Sequence, residues 1–123
     1  MEQFGYNKLI VFQKAKELSL LIYKLTKGFP RDEIYGLTSQ MRRASVSVVA
    51  NLVEGYVKGS TREFIRFLDM SIGSTAELDA LSQIASELKY LNERKYKELE
   101  TLRVEVAKML FSYRKSLKVK LNS

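Results

Sequence analysis

Histidine and cysteine are absent from this 123-residue chain, and proline occurs once, as Pro30. Each absence removes a class of chemistry. Without histidine the commonest general base and the commonest metal ligand are gone, so zinc hydrolysis and Ser-His or Cys-His catalysis are excluded. Without cysteine there is neither a disulfide nor a thiolate metal site. No apolar run approaches the roughly 18 residues of a membrane span. The opening Met1-Glu-Gln-Phe-Gly-Tyr6 lacks the basic-then-apolar pattern of a secretory leader. A cytoplasmic location is the expectation. Carboxylate-only or lysine catalysis would survive these exclusions, but no constellation points to either. The expectation is therefore a protein that is not an enzyme, with no cofactor, no metal and no small-molecule substrate.

What is present is an ordinary globular composition, 46% apolar and 28% charged, in a length suited to a single domain over 1–123. The formal net charge is +7. Such a balance favours anionic partners, nucleic acid ahead of a membrane surface. The plainer reading is a solvated basic face that keeps the protein soluble.

Apolar residues recur at helical spacing throughout, and strand-like alternation is essentially missing. A first helix is predicted over about 8–27, with the seam Val11, Ala15, Leu18, Ile22, Leu25 and Phe29, stopped by Gly28 and Pro30. A second runs over about 37–58, capped by Thr38 or Asp32 and ended by Gly59. A third opens at the capping box Ser60-Thr-Arg-Glu63 and reaches about residue 91 along Phe67, Ser71, Ser74, Leu78, Leu81, Ala85 and Leu88. A fourth, capped by Asn92, runs from about Glu93 to Ser116 along Leu99, Leu102, Val106, Met109 and Tyr113. The basic tail over 114–123 is expected to fray. Short connections make neighbours antiparallel, so the predicted fold is all-α, an antiparallel up-down-up-down four-helix bundle.

The second helix is unusual. At 100° per residue, Gln40, Arg43, Ser47, Asn51, Glu54 and Lys58 fall on one polar stripe, roughly 80° wide. Most of the remaining circumference is apolar or small, more than a bundle helix needs. Either this helix is simply the most buried one of a monomer, or one side faces the core and another faces a second subunit. Val46, Val49, Val53 and Val57 favour the second reading, a homo-oligomer, because a lone bundle leaves the outer side of every helix wet. Across the turn at Gly59, positions whose numbers sum to about 118 should lie side by side. That sets Asn51 near Phe67, Ser47 near Ser71 and Ala44 near Ser74. It also suggests ion pairs from Arg42 or Arg43 to Glu77 and from Glu54 to Arg66. Gly55, Ala44, Ser71, Gly73 and Ser74 are small enough to permit close backbone approach.

The run Tyr35-Gly-Leu-Thr-Ser-Gln-Met-Arg-Arg-Ala44, then Ser47, then Ala50-Asn-Leu-Val-Glu-Gly55, resembles the signature of the four-helix-bundle family named for the 23S rRNA intervening-sequence protein. Phe29-Pro30 before it, and Ser60, Glu63-Phe64, Phe67-Leu68, Gly73-Ser74 and Glu77-Leu78 after it, agree. The resemblance covers about 8–91. The departures are mild: Phe12 stands where the family often has tryptophan, and Asp79 where it often has glutamate. The resemblance implies a small up-down bundle that assembles as a ring, typically a homopentamer. A distant likeness to the accessory protein of diversity-generating retroelements, a basic pentameric barrel that binds nucleic acid, implies RNA or DNA as a partner.

Candidate residues divide accordingly. Gln40, Arg42, Arg43, Ser47, Asn51, Glu54, Gly55 and Glu77 are read as structural polar and interface positions. Asn51 and Glu54 as a catalytic pair would need a nucleophile or metal that the sequence does not offer. Val46, Val49, Val53 and Val57 are read as an apolar subunit interface. Arg103, Lys108, Arg114, Lys115, Lys118 and Lys120, on the fourth helix and tail, are the candidate nucleic-acid contacts.

Overall fold

The computed structural model describes residues 5–123. A short 3-10 turn over Gly5–Lys8 leads into helix α1, Ile10–Thr26. A second 3-10 turn over Arg31–Glu33 precedes α2, Leu37–Val57. Helices α3, Thr61–Glu87, and α4, Glu93–Leu121, complete the chain. The fold is all-α. Each helix packs on two neighbours: α1 on α2 and α4, and α3 on α2 and α4. Cross-helix pairs run in opposite numerical directions. Ser19 and Thr26 of α1 meet Ser45 and Arg42 of α2, and Asp69 and Asp79 of α3 meet Arg114 and Arg103 of α4. Neighbours are therefore antiparallel, and the bundle is up-down-up-down.

All six predicted seam positions of the first helix are buried. The α2 start differs from expectation. Neither Thr38 nor Asp32 caps it. Glu33 does, accepting the Leu37 N–H at 3.0 Å while its other oxygen accepts the Tyr90 hydroxyl at 2.8 Å. Gly36 makes room for this reach, since a Cβ there would lie 2.7 Å from Glu33 Oε1.

Ser60 caps α3 by accepting the Glu63 N–H at 3.3 Å. The Glu63 carboxylate does not reach back as a full capping box requires; it holds Arg66 at 3.0 Å. The α3 helix stops at Glu87, short of residue 91. Lys89 there takes a left-handed φ of 67°. Its N–H bonds Ser86 and the Tyr90 N–H bonds Ala85, the two bonds of a Schellman termination. The buried face of α3 is also shifted. Phe64, Ile65, Leu68, Thr75 and Ser82 are buried, while Phe67 and Leu81 are only half-buried and Leu88 is exposed. Ser71, Ser74, Leu78 and Ala85 are buried as expected, and Ser71 and Thr75 can be buried because they donate to the Val48 and Ile72 carbonyls.

Asn92 caps α4 by accepting the Lys95 N–H at 2.8 Å. The tail does not fray at 114: the helix continues to Leu121 because Leu117 is buried against the bundle.

Candidate functional site

The α2 polar stripe turns toward α3. Ser47 and Ser74 share a hydrogen bond at 2.8 Å, and the Asn51 amide donates to the Ser47 carbonyl and hydroxyl at 3.0 and 2.9 Å. One turn on, Gly55 lies tight against α3. A Cβ there would sit 2.8 Å from Phe67 Cβ and 2.9 Å from the Phe64 ring. Ser47 and Gly55 thus join the two helices, and Asn51 braces Ser47 from within α2. The register is close to the expected one, offset so that Ser47 meets Ser74 and Ser71 meets Val48. Gly73 takes no part in close approach, since nothing lies within 4 Å of where its Cβ would be.

The ion pairs expected of this stripe are rearranged. Arg42 turns to α1, donating from Nε to the Thr26 hydroxyl at 2.8 Å with its guanidinium 4.8 Å from the Tyr23 ring centre. Burial of Thr26 explains the preference, because its hydroxyl already donates to the Ile22 carbonyl and leaves an acceptor for Arg42. Arg43 and Gln40 are exposed, and neither Arg43 nor Glu77 enters an ion pair among the described residues. Glu54 pairs one turn along its own helix with Lys58 at 3.6 Å, and Arg66 is held by Glu63 instead.

The apolar positions of α2 lie on its other flank, beside α1. Val49 and Val53 are half-buried against the core, and Val46 and Val57 are each 44% exposed. With Lys16, Ser19, Leu20 and Ala50, Val46 and Val49 line a shallow groove of about 210 Å³, whose Leu20 is 64% exposed.

The six candidate cations are not equivalent. Arg103 is bound to Glu100 and lies 3.6 Å from Asp79, with only 11% of its side chain exposed. The Glu100 hydrogen bond raises the Arg103 pKa further above its ordinary value. It is a structural pair across α3 and α4, unavailable to a phosphate. Arg114 is held by Asp69. Lys108, Lys115, Lys118 and Lys120 are exposed and enter no ion pair among the described residues.

Lys120 reaches a cleft of about 220 Å³ at the end of the bundle, where α2 turns into α3. Gly55, Tyr56, Gly59, Ser60, Thr61, Phe64, Tyr113 and Leu117 form the rest of its lining. Rings packed edge to face build its wall: Tyr56 against Phe64 at 5.9 Å and Phe64 against Tyr113 at 5.1 Å. Burial raises the Tyr113 pKa, so its hydroxyl stays protonated. Tyr6 of the N-terminal turn packs on Tyr56 at 6.3 Å, which brings Lys8 to this same end. Arg62, in the first turn of α3, is there too. Sequence reading missed Lys8 and Arg62. The signal was available: in an up-down bundle the starts of the first and third helices share an end with the finishes of the second and fourth.

Among the described residues no three metal-ligating side chains gather, and no helix is long and apolar enough to cross a membrane. The fold and surface define a class, a small basic four-helix bundle with an apolar outer flank. The model of the 23S rRNA-intervening sequence protein family matches residues 7–112, and the chain belongs to that family. No curated protein matches the chain. Among solved structures, it is similar to a protein of unknown function from the S23 ribosomal protein family of Bacteroides thetaiotaomicron. The TM-score is 0.78 at 22% identity, over 86% of this chain and 99% of that one. At this identity the likeness concerns the fold alone.

Proposed function

We propose that this protein is a non-enzymatic, cytoplasmic homo-oligomer, a ring of five copies, that binds RNA or DNA through its basic surface. The observation that carries the binding is the set of exposed lysines without carboxylate partners, Lys108, Lys115, Lys118 and Lys120. Unpaired surface cations are free to release the counterions of a phosphate backbone. Self-association is supported by the α1–α2 flank of Leu20, Val46, Val49 and Val57, which a monomer leaves in water. The number five comes from the family resemblance.

A mixed RNA or DNA titration over a salt series tests the binding. Affinity should fall steeply with salt, and no detectable binding at ~50 mM salt rejects the nucleic-acid role. A second reading is a protein-interaction scaffold. It is favoured by a groove of about 730 Å³ along α4, where Val104 and Tyr96 lie among Glu93, Lys97, Glu100 and Lys108. Recovery of one stoichiometric protein partner that survives nuclease treatment would favour it.

A further inference from the structure

The net charge is not spread evenly along the bundle. The Ser47–Ser74 hydrogen bond marks its middle level. The half holding residues 5–18, 47–74 and 107–123 carries eleven Lys and Arg against four Asp and Glu. The other half, residues 19–46 and 75–106, carries ten against nine. Nearly all of the positive excess therefore sits toward one end, where α2 turns into α3 and α4 finishes.

At that end the nearby carboxylates are already engaged. Glu54 holds Lys58, Glu63 holds Arg66 and Asp69 holds Arg114. Lys8, Arg62, Lys115, Lys118 and Lys120 remain exposed and unpaired among the described residues. At the same end opens the cleft of about 220 Å³ lined by Tyr56, Tyr113 and Lys120, the one of these cations that reaches it. A duplex keeps the faces of its bases stacked inside and presents phosphates, sugars and groove edges. An unpaired strand can also offer a base to a pocket walled by aromatic rings.

We propose that this end of the bundle is a docking surface for single-stranded nucleic acid. Lys8, Arg62, Lys115, Lys118 and Lys120 meet the phosphates, and the Tyr56–Tyr113 cleft admits a base. This rests on the nucleic-acid reading above and adds both a place and a strand preference to it. It also moves the contact from the length of α4, where Arg103 is engaged internally, to the bundle's end.

The test uses the full chain and a labelled oligonucleotide of about 20 residues, single-stranded or as duplex, followed by anisotropy from ~50 mM salt upward. One variant carries Arg62→Gln, Lys118→Gln and Lys120→Gln. A charge-matched control carries Lys89→Gln, Arg94→Gln and Lys95→Gln at the opposite end. All six side chains are exposed, and far-UV circular dichroism checks that both variants stay folded. The expected result is at least a tenfold loss of single-strand affinity for the first variant. Its salt slope should shrink by about two, at ~0.7 per lost phosphate contact. The control should change by less than about threefold, and duplex should compete more weakly than single strand. Equal losses in the two variants would overturn the placement while leaving nucleic-acid binding intact. Duplex competing as well as single strand would overturn the strand preference. Failure of the unaltered protein to bind either form would remove the broader reading as well.

Discussion

A methyl group added at Gly55 would meet Phe67 Cβ at 2.8 Å and the Phe64 ring at 2.9 Å, whereas one added at Gly73 would meet nothing within 4 Å. The two glycines should therefore respond oppositely to alanine. Gly55→Ala must push α2 and α3 apart and should cost about 1–3 kcal/mol. Gly73→Ala, on an exposed helical surface, should be neutral or stabilising by up to about 1 kcal/mol. Denaturant unfolding of the two variants checks both signs. Glu33 makes a prediction about pH. The Leu37 N–H, and after it the Tyr90 hydroxyl, hold its carboxyl below the ordinary carboxylate range. A carboxyl with a depressed folded pKa contributes stability above its unfolded pKa and loses it as pH falls through the folded one. Glu33→Gln should accordingly destabilise the protein at neutral pH, and the difference from the unaltered chain should shrink in acid. Melting temperatures measured from pH 7 down to about pH 3 decide this. The sequence did not disclose Glu33 as a cap, because the reach depends on the unusual backbone at Gly36 and on Tyr90, 57 positions away.

At the scale of the helices, legibility followed the chemistry of the buried side chains. Every predicted α1 seam position is buried because Val11, Leu18, Ile22 and Leu25 are apolar and regularly spaced, though Phe12 and Thr26 join them outside that pattern. The α3 seam could be read only in part: Ser71, Ser74, Leu78 and Ala85 are buried as expected, but Thr75 and Ser82 share that buried face and read as polar. Ser71 and Thr75 are satisfied by backbone carbonyls, while Ser82 Oγ is buried with no partner among the described residues. Ser82→Ala should thus be tolerated better than Ser71→Ala, which would remove the hydroxyl bond that ties α3 to the Val48 carbonyl of α2. The end of α3 carries a further prediction. Lys89 occupies a left-handed position that glycine adopts without strain. Lys89→Gly should stabilise by about 1 kcal/mol, read as a raised denaturation midpoint. The length of α4 was underestimated because its last turns look merely basic. Leu117 alone among them is buried, and one anchor was enough to hold the turn.

At the scale of the whole molecule, the up-down topology was legible from four amphipathic segments and short connections. The role of Arg103 was not, since its partner Asp79 lies on a different helix and looks equally exposed in the sequence. Oligomerisation belongs to this scale. If the α1–α2 flank is a subunit contact, a charge at Val46 should weaken assembly without unfolding the bundle, because Val46 is already 44% exposed in a single copy. Val46→Asp should therefore lower the mass in solution while leaving the helical circular dichroism unchanged. An unaltered mass would place the contact elsewhere.

Mass by light scattering, with and without RNA at low salt, tests assembly and binding together. A single chain is 14.2 kDa. The expected result is about five times that mass for the protein alone, in line with closed symmetric assembly. It should rise further with RNA and return to the protein-only value as salt is added. A single-chain mass that RNA does not alter would contradict both the ring and its role.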